Sequence, residues 1–235
     1  MKALLVLLGG LKFGKVLLTG GTMALSIVAY AWVFGWWYAV GFVLLIFIHE
    51  MGHYVAARRR GLDVGAPTFI PFLGAWIAMK DLPHDAEVEA YVGLAGPLVG
   101  TLGALACFYL AREFSSPLLL ALAYAGFFLN LFNLIPLSPF DGGRVTAVIS
   151  PKLWLIGAPI LVGIFLIHPS PLLLIMALLA FPQVMKAWRG PQTDAERAYY
   201  AVGFDARTNY AVCYVGLVIF LAVMCHELHQ ELPRV

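Results

Sequence analysis

Apolar residues in this chain come in long unbroken runs, without the short rhythm of an amphipathic surface helix or a half-buried strand. The runs cover residues 16–34, 38–57, 90–111, 117–137, 153–168, 171–188 and 209–226. Each is close to the roughly 20 residues that a helix needs to cross a bilayer. The fifth is the shortest, carries Pro159 and ends at HPSP, and the last is counted only if it crosses fully. The pattern predicts an all-α polytopic membrane protein with six to seven transmembrane helices. Between the second and third spans the rhythm changes. Polar GLDVG leads into APTFIPFLGAWIAM and then into charged KDLPHDAEVE. The apolar middle is too short to span, and its prolines and Gly74 oppose a helix. It is either a loop lying on the membrane surface or a re-entrant loop, folded as a short β-hairpin with a usable edge. Non-helical backbone survives at membrane depth only when protein covers it or water reaches it.

Composition agrees with the runs. The chain is 62% hydrophobic and 12% charged, with mean hydropathy +0.87, against about 25% charged residues in soluble domains. It therefore reads as one integral-membrane domain over 1–235, with a polar linker at 189–208. The net charge of +2 is spread over short loops and implies no nucleic-acid partner. Cys107, Cys213 and Cys225 sit in apolar runs without metal spacing and read as small buried hydrophobes. The N-terminal MKALLVLLGGLKFGK lacks a small-residue cleavage site and reads as a retained lead-in. Lys and Arg sort by side. With the N-terminus inside and residues 61–89 returning to the side they left, thirteen fall on the cytoplasmic side and two, Arg112 and Arg234, on the other.

Chemistry enters at FIHEMGHYVAARRR, residues 47–60, where H-E-x-x-H closes an apolar run. On a helix His49 and His53 share one face, one turn apart, so both imidazoles can meet one Zn²⁺. Glu50 points to a neighbouring direction, near enough to hold water beside the metal without ligating it. This composition gives roughly 0.005 chance matches to the pattern, and ionisable residues inside a span are costly unless they work. A catalytic zinc usually takes three protein ligands. The carboxylate that topology brings to the same side is Asp141, in NLFNLIPLSPFDGGRV, where Pro136 and Pro139 end the fourth helix and Gly142–Gly143 permit a tight turn. The tail HELHQE has Gln230 where a second histidine would be required, and His84 and His168 stand alone in loops. None of these is read as a site.

HEMGH in a span, followed by Asn133-x-x-Pro136-x-x-x-x-Asp141-Gly142 and preceded in that interval by Ala95-Gly96-Pro97, resembles the site-2 protease family (peptidase family M50) of intramembrane zinc metalloproteases. The resemblance covers residues 38–145, the expected catalytic core. It implies that His49, His53 and Asp141 bind one zinc ion, that Glu50 is the general base, and that Asn133 helps to position substrate or stabilise the oxyanion. The segment Phe69–Trp76 falls where the family has its re-entrant, substrate-contacting β element, which marks Phe72, Gly74, Ala75 and Trp76 as substrate-binding. The implied substrate is a transmembrane helix of another protein, cut within or near the bilayer of a prokaryotic cell membrane, with the site towards the cytoplasm. One departure stands out: family members often carry Asn after Ala-Gly-Pro, and this chain reads Gly100-Thr101. The loops have no room for a PDZ insertion or a CBS appendage, so a minimal member is expected. The rivals are a membrane-anchored gluzincin-type protease, which needs a third-ligand Glu and a soluble domain, and a non-proteolytic metal-binding or transport protein, to which Glu50 would be dispensable. A scaffold that binds helices without cutting them would have no need of Glu50 at all.

Overall fold

One residue, Gly35, separates the first two long helices, α1 (Lys2–Phe34) and α2 (Trp36–Arg59). Its φ of 85° lies in the region that side chains avoid, so the chain reverses there without a loop. The computed structural model describes residues 2–72, 74–76 and 83–232, and of residues 2–13, 15, 16 and 76 only the backbone. After α2 come two short strands, β1 (Thr68–Ile70) and β2 (Gly74–Trp76), paired antiparallel with Phe69 opposite Ala75. Then follow α3 (Ala86–Phe114), α4 (Pro117–Asn133), α5 (Asp141–Ile149), a 3₁₀ turn at Pro151–Leu153, α6 (Trp154–Ile167), α7 (Pro171–Arg189), α8 (Asp194–Tyr199) and α9 (Phe204–Glu231).

The helix starts are written locally. Asp85 accepts from the Val88 N–H at 2.8 Å to cap α3. Ser116 before Pro117 and Ser170 before Pro171 cap α4 and α7 in the same way. In each pair the serine oxygen satisfies an orphan N–H, and proline brings no N–H that needs a partner. Among the described residues five helices, Leu17–Phe34 of α1 with α2, α3, α7 and α9, are long and apolar enough to cross a membrane. α4 and α6, of 17 and 14 residues, are apolar and shorter. The chain is thus an all-α polytopic membrane protein, each expected apolar run coinciding with a helix. Its outer faces carry large apolar side chains such as Trp32, Trp37, Leu178 and Val212. In water such a surface would associate; in hydrocarbon it is at home.

Two findings refine the sequence reading. The linker at 189–208 contains α8, whose capping box pairs Thr193 with Glu196. The Gly142–Gly143 pair, expected in a tight turn, forms the first turn of α5 instead. A Cβ on Gly142 would strike the carbonyl oxygens of Leu134 and Ile135, and one on Gly143 would come within 2.6 Å of the Ser138 nitrogen. These glycines let α5 press against the backbone that leaves α4. Close approach, not turn geometry, requires them.

The centre of the molecule is α3, which packs against α2, α4 and α5, while α9 lies over α4 and α5. Ala104, Ala123, Phe127, Leu134, Val145 and Leu221 form the buried core between these helices. α6 and α7 make a second layer around Leu137, Phe140 and Trp154. The hairpin is fastened to α1: Thr19 Oγ1 donates to the Pro67 carbonyl at 2.7 Å, the Phe69 N–H donates to Thr22 Oγ1, and the Phe72 N–H to the Tyr30 hydroxyl. Phe69 buries its ring against Ala39, Val43 and Ile46, whereas Ile70 and Phe72 are exposed.

Candidate metal centre

α2 supplies two imidazoles one turn apart, and both are buried, His49 at 3% and His53 at 7% exposure. Their planes cross at 79° with centroids 4.8 Å apart. This sets the two Nε2 atoms 3.1 Å from each other. The third member arrives from 88 residues downstream. Asp141, at the first position of α5, places Oδ2 3.1 Å from each Nε2. Three donor atoms thus form a near-equilateral triangle. Ligands of a tetrahedral zinc at 2.0–2.1 Å stand about 3.3 Å apart, so the triangle fits such an ion with the fourth position open. Glu50 belongs to the same cluster, its ligand atom within 4.8 Å of those of His49 and His53. The carboxylate in contact with both rings, however, is that of Asp141.

The far sides of the rings show which atoms face inward. The Nδ1–H of His53 donates to the Val92 carbonyl at 2.8 Å. The Nδ1–H of His49 donates to Asn130 Oδ1, also at 2.8 Å. In neutral rings with those protons outside, two bare Nε2 lone pairs and a carboxylate oxygen converge on one point. Three acceptors this close repel unless positive charge stands between them. That arrangement is what an outer shell does for metal-binding histidines.

Asp141 is held from four directions. Tyr214 on α9 donates to the Leu134 carbonyl at 2.5 Å, Gln183 on α7 accepts from the Ser138 N–H, Trp154 on α6 donates to the Gly143 carbonyl at 2.8 Å, and Gly142 closes on the exit of α4. A loop of prolines and a nine-residue helix become a fixed arm.

The Asn133 side chain bonds within α4. Its amide donates to the Leu129 carbonyl of its own helix at 3.0 Å, and the asparagine bonded to His49 is Asn130, one turn earlier. The sequence reading passed over Asn130, although an amide inside the apolar PLLLALAYAGFFLNLFN, one turn before Asn133, was a usable signal. It also left the position after Ala-Gly-Pro without a role. A Cβ on Gly96 would meet the His53 ring and one on Gly100 the Asn130 amide. Of the other expected residues, Phe72, Gly74 and Ala75 lie in or beside the hairpin, with Phe72 52% exposed. The Trp76 side chain lies outside the described residues, as do Leu73, Ile77 and Ala78. His84, His168 and His226 are exposed, and His226 is bonded to Gln230 at 2.8 Å.

Comparison with known proteins places the centre in context. Residues 37–116 match the sequence model of peptidase family M50. The chain is 34% identical over 124 residues to the zinc metalloprotease MJ0392 of Methanocaldococcus jannaschii, covering 49% of this chain and 35% of that protein. It is 32% identical over 123 residues to Rip3 of Mycobacterium tuberculosis, which is named provisionally as a zinc metalloprotease; the match covers 48% of this chain and 31% of that one. A second Methanocaldococcus protein, MJ0611, also named provisionally as a zinc metalloprotease, is 29% identical over 176 residues, 59% of this chain and 88% of its own length. The chain spans about a third of the length of the first two relatives.

Proposed function

We propose that the chain belongs to peptidase family M50, whose sequence model matches residues 37–116, and that it is an intramembrane zinc endopeptidase that cuts membrane-protein substrates within or near their transmembrane segments. The observation that carries the reading is the triangle of His49 Nε2, His53 Nε2 and Asp141 Oδ2, each pair 3.1 Å apart. In this reading the three residues hold one zinc ion. When bound, that ion supplies a Lewis acid that polarises the scissile carbonyl and brings the pKa of a coordinated water towards 7. Glu50 takes the proton of the attacking water and returns it to the departing amine nitrogen, which balances the hydrolysis. His49 and His53 keep their orientation through the two Nδ1–H bonds, and Asp141 through its anchored arm. Asn133, whose amide donates back to Leu129 of α4, helps in this reading to position substrate or stabilise the oxyanion.

Substrate access has a physical basis beside the centre. A groove of about 740 Å³ is lined by Thr19 and Met23 of α1, by Phe47, Met51, Tyr54 and Arg58 of α2, and by residues 63–67. The four α2 residues form a stripe at helical spacing, and Glu50 lies on the helix surface between that stripe and the two histidines. A transmembrane helix hides its carbonyls in i to i−4 bonds, and each one freed in lipid costs several kcal/mol. The hairpin supplies replacement partners by strand addition, with Phe72, Gly74, Ala75 and Trp76 contacting the unwound segment from a re-entrant position. The Lys and Arg distribution supports a centre towards the cytoplasmic face, in this reading that of a prokaryotic cell membrane, with Arg58–Arg60 marking where water enters.

The test uses the full chain purified in detergent, analysed for metal and incubated with a tagged single-span substrate. About one zinc per chain and cleavage by wild type are expected, and Glu50→Gln should keep the metal and lose cleavage. A Glu50→Gln protein that still cuts would remove the mechanism.

A further inference from the structure

We propose that Asn130 is the positioning residue of His49: its side-chain oxygen fixes the imidazole in the tautomer and orientation that turn Nε2 into a metal ligand. The inference rests on the zinc reading above and deepens it, by assigning the orientation of His49 to a single α4 side chain and giving that side chain a measurable effect on metal affinity.

Chemistry alone orients the Asn130 amide. Its Nδ2–H donates to the Gly126 carbonyl at 2.7 Å, and a carbonyl can only accept. The nitrogen therefore faces Gly126 and the oxygen faces His49. Oδ1 carries no hydrogen, so the proton in the 2.8 Å contact belongs to His49 Nδ1. Flipping the amide would set oxygen against oxygen on one side and N–H against N–H on the other, and both bonds would be lost. Steric confinement adds to this. Asn130 is 1% exposed, and its Oδ1, Nδ2 and Cγ are the atoms nearest to where a Gly100 Cβ would stand, with Nδ2 at 2.9 Å and Cγ at 3.0 Å. The amide lies against bare α3 backbone with no room to swing. A buried amide in an apolar helix is costly unless bonded, and a leucine would pack α2 against α4 without that cost.

The two histidines also differ. His53 is oriented by the Val92 carbonyl, a backbone group that no side-chain substitution removes. His49 is oriented by a side chain, so its outer contact can be deleted and the effect measured. A purely structural amide would affect only stability; a positioning amide controls metal affinity.

The experiment takes the full chain in detergent, strips it of metal and titrates zinc against a chromophoric chelator. Asn130→Ala should weaken zinc by about 10–100-fold, the usual effect of removing such a partner. A folded Asn130→Ala with wild-type affinity overturns the proposal. Should Asn130→Ala fail to fold, the zinc-loaded wild type decides by ¹⁵N-histidine NMR. Both metal-responsive imidazoles should be protonated at Nδ1, and either one protonated at Nε2 overturns the proposal. A wild type that binds no zinc would instead defeat the underlying functional reading, so the two failures are distinguishable.

Discussion

Adding one methyl group at Gly96 separates folding from metal binding in this molecule. A Cβ there would point at the edge of the His53 ring, overlapping Nε2 and Cε1 and standing 2.7 Å from Cδ2. To restore even a tight 3.4 Å contact with the nearest ring atom, ring or helix must shift by about 1.2 Å. Metal–ligand distances tolerate about 0.2 Å, and the ring cannot rotate clear without breaking its bond to the Val92 carbonyl. The stability terms oppose each other. Alanine gains about 1 kcal/mol over glycine inside a helix, and overpacking costs about 1–3 kcal/mol. The net loss of about 0–2 kcal/mol lies inside the 5–15 kcal/mol margin of an ordinary domain. Gly96→Ala should therefore purify as a folded protein, melt within a few degrees of wild type, and bind zinc at least about tenfold more weakly. Gly216→Ala is the matched control, because nothing lies within 4 Å of its added Cβ; it should leave zinc and cleavage unchanged. Chelator competition and thermal unfolding on the same preparations give both numbers. A Gly96→Ala protein with wild-type zinc affinity would show that the ring has room that the packing denies it.

Other substitutions probe other parts of the site. Asp141→Ala should abolish near-stoichiometric zinc in metal analysis while leaving helix content by circular dichroism intact, since the arm is held by Tyr214, Gln183 and Trp154 and not by the carboxylate. Glu50→Gln should slow cleavage by about 10²–10⁴-fold with zinc retained, measured by single-turnover hydrolysis. Trp154→Phe strips the Gly143 carbonyl of its buried partner; a stability loss of about 1–3 kcal/mol is expected, with some loss of zinc affinity as the arm loosens. Arg112→Ala breaks a contact to Glu231 in which both side chains are at least 39% exposed, and should change stability by less than about 1 kcal/mol.

The helices and the two histidines were legible because each depends on near neighbours in sequence. Apolar runs mark helices of span length, Ser-Pro pairs mark two of their starts, and H-E-x-x-H carries its own geometry. Asp141 was legible for another reason: few carboxylates lie near a membrane border, and topology sorts them by side. What escaped depends on contacts between helices. Gly96 and Gly100 have no local conformational need in α3, and their meaning lies in the rings and amides that α2 and α4 bring against them. Asn130 and Asn133 both sit at the end of one apolar helix. Only the packed structure shows which of them looks across to α2 and which turns back to Leu129. Gly142 and Gly143 were read as a turn because a turn is the commonest use of such a pair; the nearby backbone of residues 134–138 makes them the foot of a helix.

Polar bookkeeping in the interior explains why the site sits where it does. A protein in lipid must satisfy its buried polar atoms internally. Here Thr146 Oγ1 bonds to Gly142, Thr101 Oγ1 to Pro97, Asn130 to Gly126 and His49, and Trp154 to Gly143. Each of these groups is satisfied within the fold. The atoms left facing one another are the two imidazole nitrogens and the Asp141 oxygen, all electron-rich, and the fold spends four anchoring contacts to keep that carboxylate against them. Its position 3.1 Å from both rings is stabilised by positive charge between the three groups, which a protonated imidazole supplies in the metal-free protein and a bound cation supplies in its place. Because the arm is anchored by Tyr214, Gln183 and Trp154, metal-free protein should keep it folded, and zinc should slow hydrogen exchange there further; an arm that exchanges freely without metal would refute the reasoning.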